Sequence, residues 1–216
     1  MISRAFVAAA CTLFSWGSAH AAFSADNLSC NVFRPGGTGV LARCSGPSKA
    51  HGEITIELTG RTPNLVSEVK LTGAKGSFQQ ILKVSAEPTI DVETIGILHS
   101  DFDFDGREDF AIMEFLPAGP NVPYRYYLYD VGKAKFIPNG DLGKITSPEF
   151  RPADKEIVSY WRENAATGGT DIYIWKDGRP QLKERTVDRY TETGCVRAKF
   201  VQRGDKLAEV SRGNCE

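Results

Sequence analysis

The chain has 216 residues, 41% of them hydrophobic, and its 26 lysines and arginines nearly balance 27 aspartates and glutamates. Charges of both signs are scattered along it, so no basic face is offered to nucleic acid or to an anionic membrane surface. The length suffices for one domain with a real core.

The first residues read as a targeting segment. Arg4 supplies a positive start, Ala5 to Trp16 form an apolar stretch, and Ala19-His20-Ala21 gives a small-x-small cleavage pattern. Residues 1–21 are therefore expected to be a signal peptide cleaved after Ala21, with residues 22–216 a single β domain in the periplasm. The stretch is short for a membrane span, and no later segment is apolar enough to be one. A retained anchor, or a lipoprotein acylated at Cys11, are the alternatives. Ala8-Ala9-Ala10 lacks the large aliphatic residue that an acylation site prefers.

Four cysteines follow, Cys30, Cys44, Cys195 and Cys215. An even number in an exported chain implies disulfides, and four allow three pairings. Cys30–Cys44 and Cys195–Cys215 are favoured, because each pair brackets a turn-rich stretch that would bring its ends together. With no Cys-x-x-Cys, a metal role for them is not expected.

Strand signals dominate from there on. Ile54, Ile56 and Leu58 alternate with Glu53, Thr55 and Glu57, which is the pattern of a half-buried strand. Similar runs follow at 65–71, 78–84, 92–98, 110–115 and 124–129. Others lie at 157–161, 172–175, 182–190, 196–202 and 207–211. Three late segments each place an aromatic-bearing strand before a glycine-containing turn, as in Tyr173-Ile174-Trp175-Lys176-Asp177-Gly178. The expected class is all-β, with antiparallel hairpins in a small propeller-like arrangement or, alternatively, a β-sandwich.

Asp101-Phe102-Asp103-Phe104-Asp105-Gly106-Arg107-Glu108-Asp109 carries the chemistry. Calcium takes six to eight hard oxygen ligands, and carboxylates at every second loop position wrap toward one centre. Gly106 permits the bend. The expected ligands are Asp101, Asp103, Asp105, the carbonyl of Arg107, and Asp109, with Phe102 and Phe104 turned toward the core. Ile112 stands where an EF-hand would have its bidentate Glu, so a strand-loop-strand site is expected instead. A solvated acidic turn is the plain alternative, and a bound Ca2+ is expected to act as a structural staple.

No nucleophile elbow, phosphate-cradling loop or His-Glu-x-x-His is present, and no acid/base pair can be assembled, so the chain is not expected to be an enzyme. His99 reads as a structural strand histidine. Two stretches read as presentation loops for a partner: Pro117–Tyr124, offering Asn121 and Tyr124, and Asn164–Thr170, offering Asn164, Thr167 and Thr170 beside Tyr173. Core tyrosines flanking an ordinary loop are the plain alternative.

The aspartate loop, then Ala118-Gly119-Pro120-Asn121-Val122-Pro123-Tyr124, Leu128-Tyr129-Asp130, Ser147-Pro148-Glu149-Phe150 and Lys155-Glu156-Ile157, give the chain a resemblance over Ile95 to Trp175. It resembles exported bacterial immunity proteins that act against peptidoglycan-hydrolase effectors of a type IV secretion system. Those proteins have a calcium-binding, propeller-like β fold similar to periplasmic inhibitors of invertebrate-type lysozyme. Asp101, Asp103, Asp105 and Asp109 match their metal ligands, although the family often has Asn where Asp103 stands. The resemblance implies a lysozyme-like peptidoglycan hydrolase as protein partner, blocked by a loop that enters its cleft. A calcium-stabilised envelope module binding another protein or a glycan is the alternative. Oligomeric state is left open.

Overall fold

The computed structural model describes residues 27–33, 39–61, 64–91 and 94–215. The expected signal peptide and Cys11 lie outside them. Fifteen strands and two single-turn 3-10 helices (Ala74–Gly76 and Leu142–Lys144) make up the regular structure, with no α-helix among the described residues. Among the described residues no helix is long and apolar enough to cross a membrane.

Three antiparallel sheets follow one another along the chain. The first holds β1 (Ser29–Val32), β2 (Gly39–Ser48), β3 (Gly52–Arg61), β4 (Leu65–Gly73) and β5 (Gln79–Ala86). The second holds β6 (Ile97–Ser100), β7 (Asp109–Met113), β8 (Tyr124–Asp130) and β9 (Lys135–Asn139). The third holds β10 (Pro148–Arg151), β11 (Glu156–Arg162), β12 (Thr167–Lys176), β13 (Arg179–Thr191), β14 (Gly194–Arg203) and β15 (Lys206–Asn214). In each sheet every strand pairs with its neighbour in the chain, which is the meander from which propeller blades are built, and no sheet closes into a barrel.

The second sheet lies between the other two and is buried on both faces. All five residues of β7 are buried. Since side chains alternate along a strand, Phe110 and Ile112 join one core with Leu41, Ile56, Leu58 and Leu71 of the first sheet. Ala111 and Met113 face the other way, into a second core with Phe102, Tyr124, Tyr126 and Leu142. Ile157 of β11 completes that core, with Phe150, Tyr173 and Trp175 packed against it.

The late hairpins form as their sequences predict. Lys176 pairs with Arg179 across a two-residue turn in which Asp177 (φ 53°) and Gly178 (φ 73°) both have positive φ, the turn whose twist matches that of the flanking strands. Arg203 pairs with Lys206 across the two-residue turn Gly204–Asp205, in which Gly204 alone has positive φ (60°).

Elsewhere the structure departs from the expected elements. The stretch between the first two cysteines is not merely turn-rich: Cys30 and Cys44 are directly opposed partners on β1 and β2. Pro47 and Gly46 conceal β2 in the sequence, yet Leu41, Ala42 and Cys44 on it have no exposure. Of the run 92–98, residues 92 and 93 lie outside the described residues, and β6 begins only at Ile97. A side chain on Gly96 would press on Pro88 and Met113, so the backbone bends there before the strand starts. The short edge strand β10 has no counterpart among the predicted runs. Phe115 lies beyond the end of β7 and is 50% exposed.

Both favoured disulfides are present, Cys30–Cys44 and Cys195–Cys215. The second has a particular task. β15 is exposed along almost its whole length, and of the large apolar core only Ala198 comes from β14. Backbone pairing to β14 and the bridge therefore hold the edge strand with little help from burial. Closing a loop of this size stabilises a chain by about 3 kcal/mol on the entropy model. Replacing Cys195 and Cys215 by serine should raise amide exchange across Lys206–Asn214 by local fraying while protection of β7 is unchanged. Hydrogen-exchange mass spectrometry reads both.

Candidate functional site

The aspartate loop connects β6 to β7 and is wound on its own carboxylates. Asp101 accepts hydrogen bonds from the backbone N–H of Asp105 at 3.0 Å and of Gly106 at 2.8 Å. Gly106 (φ 91°) makes the bend, and Phe104 is itself held at φ 62°. Phe102 is buried, edge-on to Tyr126 at 5.2 Å and against Phe150 at 4.7 Å. Phe104 is half-buried on the same side, 6.5 Å from Phe150.

Asp109 is 2% exposed. Its two carboxylate oxygens accept N–H groups from different elements: Phe102 at 2.8 Å and Tyr129 at 2.9 Å. Burial pushes its pKa up to about 8 against the lowering effect of those two bonds, with the charges of Asp103 and Asp101 adding to the rise. Asp103 is pushed up to about 6, first by burial and then by the neighbouring Asp105 and Asp101. Carboxylate oxygens of Asp101, Asp103 and Asp109 lie within 4.8 Å of one another.

This donor set fits a hard divalent cation: three converging carboxylates, one buried, in a loop already wrapped around them. Asp105 does not join the three. It turns to Arg107, whose Nη1 donates to it at 2.6 Å while the Arg107 N–H donates at 2.8 Å. His99, on β6, is buried with neither ring nitrogen bonded, and burial, opposed by Glu108, pulls its pKa down to about 4. It is a neutral core residue.

The two expected presentation loops look different once folded. Tyr124 is the first residue of β8 and 2% exposed, inside the second core, so it offers no surface to a partner. Asn121 spends its amide on the chain itself. Its Nδ2 donates to the Arg162 carbonyl at 2.7 Å and its Oδ1 accepts the Arg162 N–H at 2.9 Å. Ser147 pins the same loop from below, its Oγ accepting the Val122 N–H. Asn164–Thr170 is not one flexible loop. Only Glu163–Ala166 form the turn, and Thr167–Thr170 begin β12, where Thr170 pairs with Tyr160 and Thr186. Gly168 and Gly169 read as flexible but serve close packing: Gly169 sits opposite Trp161, whose ring would lie 2.6 Å from a Cβ there. Asn164 stays at the exposed turn, its Oδ1 accepting the Ala166 N–H at 2.9 Å.

Tyr173 belongs to a network that sequence reading missed. Asp171, on β12, is 3% exposed and accepts four bonds. Arg185 Nε and Nη2 donate at 2.7 and 2.5 Å, Trp161 Nε1 at 3.0 Å and the Tyr173 hydroxyl at 3.1 Å. The Arg185 guanidinium also lies 5.7 Å from the centre of the Trp161 ring. Burial, then the charge of Asp171, raises the Tyr173 pKa to about 12, so its hydroxyl remains a donor. A signal was present: Asp171, Tyr173 and Trp175 share one strand face, and an acid on an otherwise aromatic face requires a buried partner.

No family model and no curated protein matches the chain. Among solved structures it is similar to one described as "Structure of a Xanthomonas Type IV Secretion System related protein". The two are 18% identical, the match covers 84% of this chain and 93% of that one, and the TM-score is 0.56. At that identity the likeness concerns the fold.

The Asp171 network makes a stability prediction. Arg185→Met leaves a buried carboxylate without its cation. The cost should be about 2 kcal/mol, below the ~3–5 kcal/mol of a fully buried pair, because the guanidinium is partly solvated and Trp161 and Tyr173 still donate. Asp171→Asn in the same chain should recover much of it. Urea denaturation of the single and double variants measures both.

Proposed function

We propose that this is an exported calcium-binding protein that inhibits a lysozyme-like peptidoglycan hydrolase, as an immunity or inhibitor protein, by seating a polar turn in the enzyme's cleft. The convergence of Asp101, Asp103 and Asp109 within 4.8 Å on a loop anchored in the core is the observation that carries the calcium part. The fold likeness to a type IV secretion system related protein of Xanthomonas supports the secretion-associated setting. Two disulfides fit an oxidising compartment, in this reading the periplasm. The chain works by binding, and no catalytic step is assigned to it.

Calcium would be held by Asp101, Asp103 and Asp109, with Asp105 joining if it leaves Arg107. The cation supplies charge that relieves the crowding of these carboxylates; the chain supplies the winding, through the N–H groups that already orient Asp101 and Asp109. The ion thereby fixes Phe102 and Phe104 against Phe150 of β10 and stiffens the approach of the third sheet to the second.

The contact element is Asn164–Ala166, the part of the Glu163–Ala166 turn that carries no acid. Glycan-cleaving enzymes have carboxylates at the base of the cleft. A turn bearing the Asn164 amide, flanked by Arg162 and braced from behind by Asn121, offers donors there. The second reading, an envelope module that binds another protein or a glycan, is favoured by the concavity beside Arg185, which lies apart from the turn's tip.

Two outcomes test the proposal. Calcium binds in the class of extracellular modules, on the order of 10⁻⁴–10⁻³ M, and at a hundred times Kd it stabilises the fold by about 2.7 kcal/mol. Thermal melts with calcium and with chelator should differ accordingly. Asp103→Ala should remove that increment; it is preferred to Asp109→Ala, which would also break the bonds to Phe102 and Tyr129. A melting temperature indifferent to calcium sinks the metal site. For inhibition, the protein is mixed with lysozyme-type enzymes and with any hydrolase encoded beside its gene, and clearing of cell-wall suspensions is followed. Replacing Asn164–Ala166 by Gly-Ser-Gly should abolish inhibition while the calcium increment persists. If no hydrolase is slowed, the envelope-module reading takes its place.

A further inference from the structure

A concavity of about 450 Å³ opens beside the Asp171 network, lined by residues of β11, β12 and β13 together with Asn121 and Lys144. Its hydrogen-bonding groups are unevenly spent. The acceptors are mostly consumed inside the protein: Asp171 takes four donors, and the Asn121 Oδ1 takes the Arg162 N–H. The donors are not. The Arg162 guanidinium has no ion-pair partner among the described residues. Arg185 commits Nε and Nη2 to Asp171 and keeps 37% of its side chain exposed. Lys144 lies at the margin, paired with Asp141 but 77% exposed. Glu163 is the rim's one acid with no bonded side-chain partner among the described residues.

The geometry points to a binding site for the carboxylate of a small ligand, an acidic sugar or a peptide C-terminus, received by Arg162 and Arg185. A cleft whose uncommitted donors are cationic N–H groups calls for a ligand that brings acceptors and negative charge. A planar guanidinium matches a planar carboxylate with two parallel bonds. Arg185 is already oriented by a buried acid and an indole ring, so binding costs it little rotamer freedom. The volume is that of a small-ligand cleft. This site goes beyond the proposed inhibitory turn; it shares Arg162 with the flank of that turn but uses none of Asn164–Ala166, so replacing those three residues tests inhibition without removing this site.

The test is nitrogen-15 NMR of the full chain, following the Trp161 Nε1–H and Arg185 Nε–H resonances. The probes are N-acetylmuramic acid, N-acetyl-D-alanine, inorganic phosphate, and N-acetylglucosamine as the neutral sugar. A saturable shift is expected with one or both carboxylates, and the tighter of the two identifies the source as sugar or peptide. N-acetylglucosamine should give none. Arg162→Gln should weaken binding about tenfold, the loss of one charge-assisted contact, and Glu163→Gln should tighten it by removing the repelling acid. Both side chains lie on the exposed rim, so both variants fold. The site is overturned if neither carboxylate shifts these resonances, if phosphate or the neutral sugar binds as tightly, or if Arg162→Gln leaves the affinity unchanged.

Discussion

β7 has no solvent face, and the rest of the molecule is arranged around that constraint. A strand buried on both sides needs two partner surfaces, and Phe110 and Ile112 on one face, Ala111 and Met113 on the other, obtain them from different sheets. The strand cannot shift by one residue without exchanging its two cores. Its first residue is a carboxylate, the group least tolerant of burial. Asp109 is accommodated because N–H groups from the loop before it and from β8 both reach it. The same residue that begins the central strand therefore closes the acidic loop. The geometry of the loop is inherited from the core.

That dependence explains which parts of the molecule were legible in the sequence. The alternation in β3 and β4 and the Asp-Gly turn after β12 act locally, so the sequence displays them directly. The acidic loop was legible for the same reason: the spacing of aspartates and Gly106 decides the winding within nine residues. What was not legible is decided across the fold. Asp105 is a local exception, because the spacing that winds the loop does not rank Arg107 against the carboxylate cluster as its partner. Tyr124 has the composition of a binding residue, and only the presence of Leu142 and Ile145 against the second sheet makes it core. Gly168 and Gly169 resemble a flexible linker until Trp161 is placed on the facing strand. Composition describes a residue's chemistry, whereas its neighbours decide whether that chemistry faces outward.

Asn121 and Asp171 illustrate two uses of a polar side chain beside a functional surface. Asn121 imitates a strand, offering one donor and one acceptor to the backbone of Arg162. It thereby sets the angle at which the Glu163–Ala166 turn leaves the sheet. Asp171 sits beneath the surface and orders what lies above it, since its four bonds fix an arginine, an indole and a phenol at once. Removing either would leave the exposed groups chemically intact but without defined positions. Fully satisfied buried polar networks impose a unique arrangement in this way.

The meander order of the three sheets also governs when the parts can form. Within each sheet every strand pairs with its chain neighbour, so each hairpin closes over a short stretch, and topologies dominated by such local pairing fold quickly. Sheets can assemble in sequence as the chain is released, the first before the third has appeared. Cys215 reverses this advantage at one point. It follows β15 in the chain, and its bridge to Cys195 secures an edge strand that burial hardly holds. The edge strand is therefore made fast only after β10 to β14 and β15 itself have been released. Until its bridge closes, the third sheet presents an unlatched edge to other chains, the interval in which mispairing is most costly.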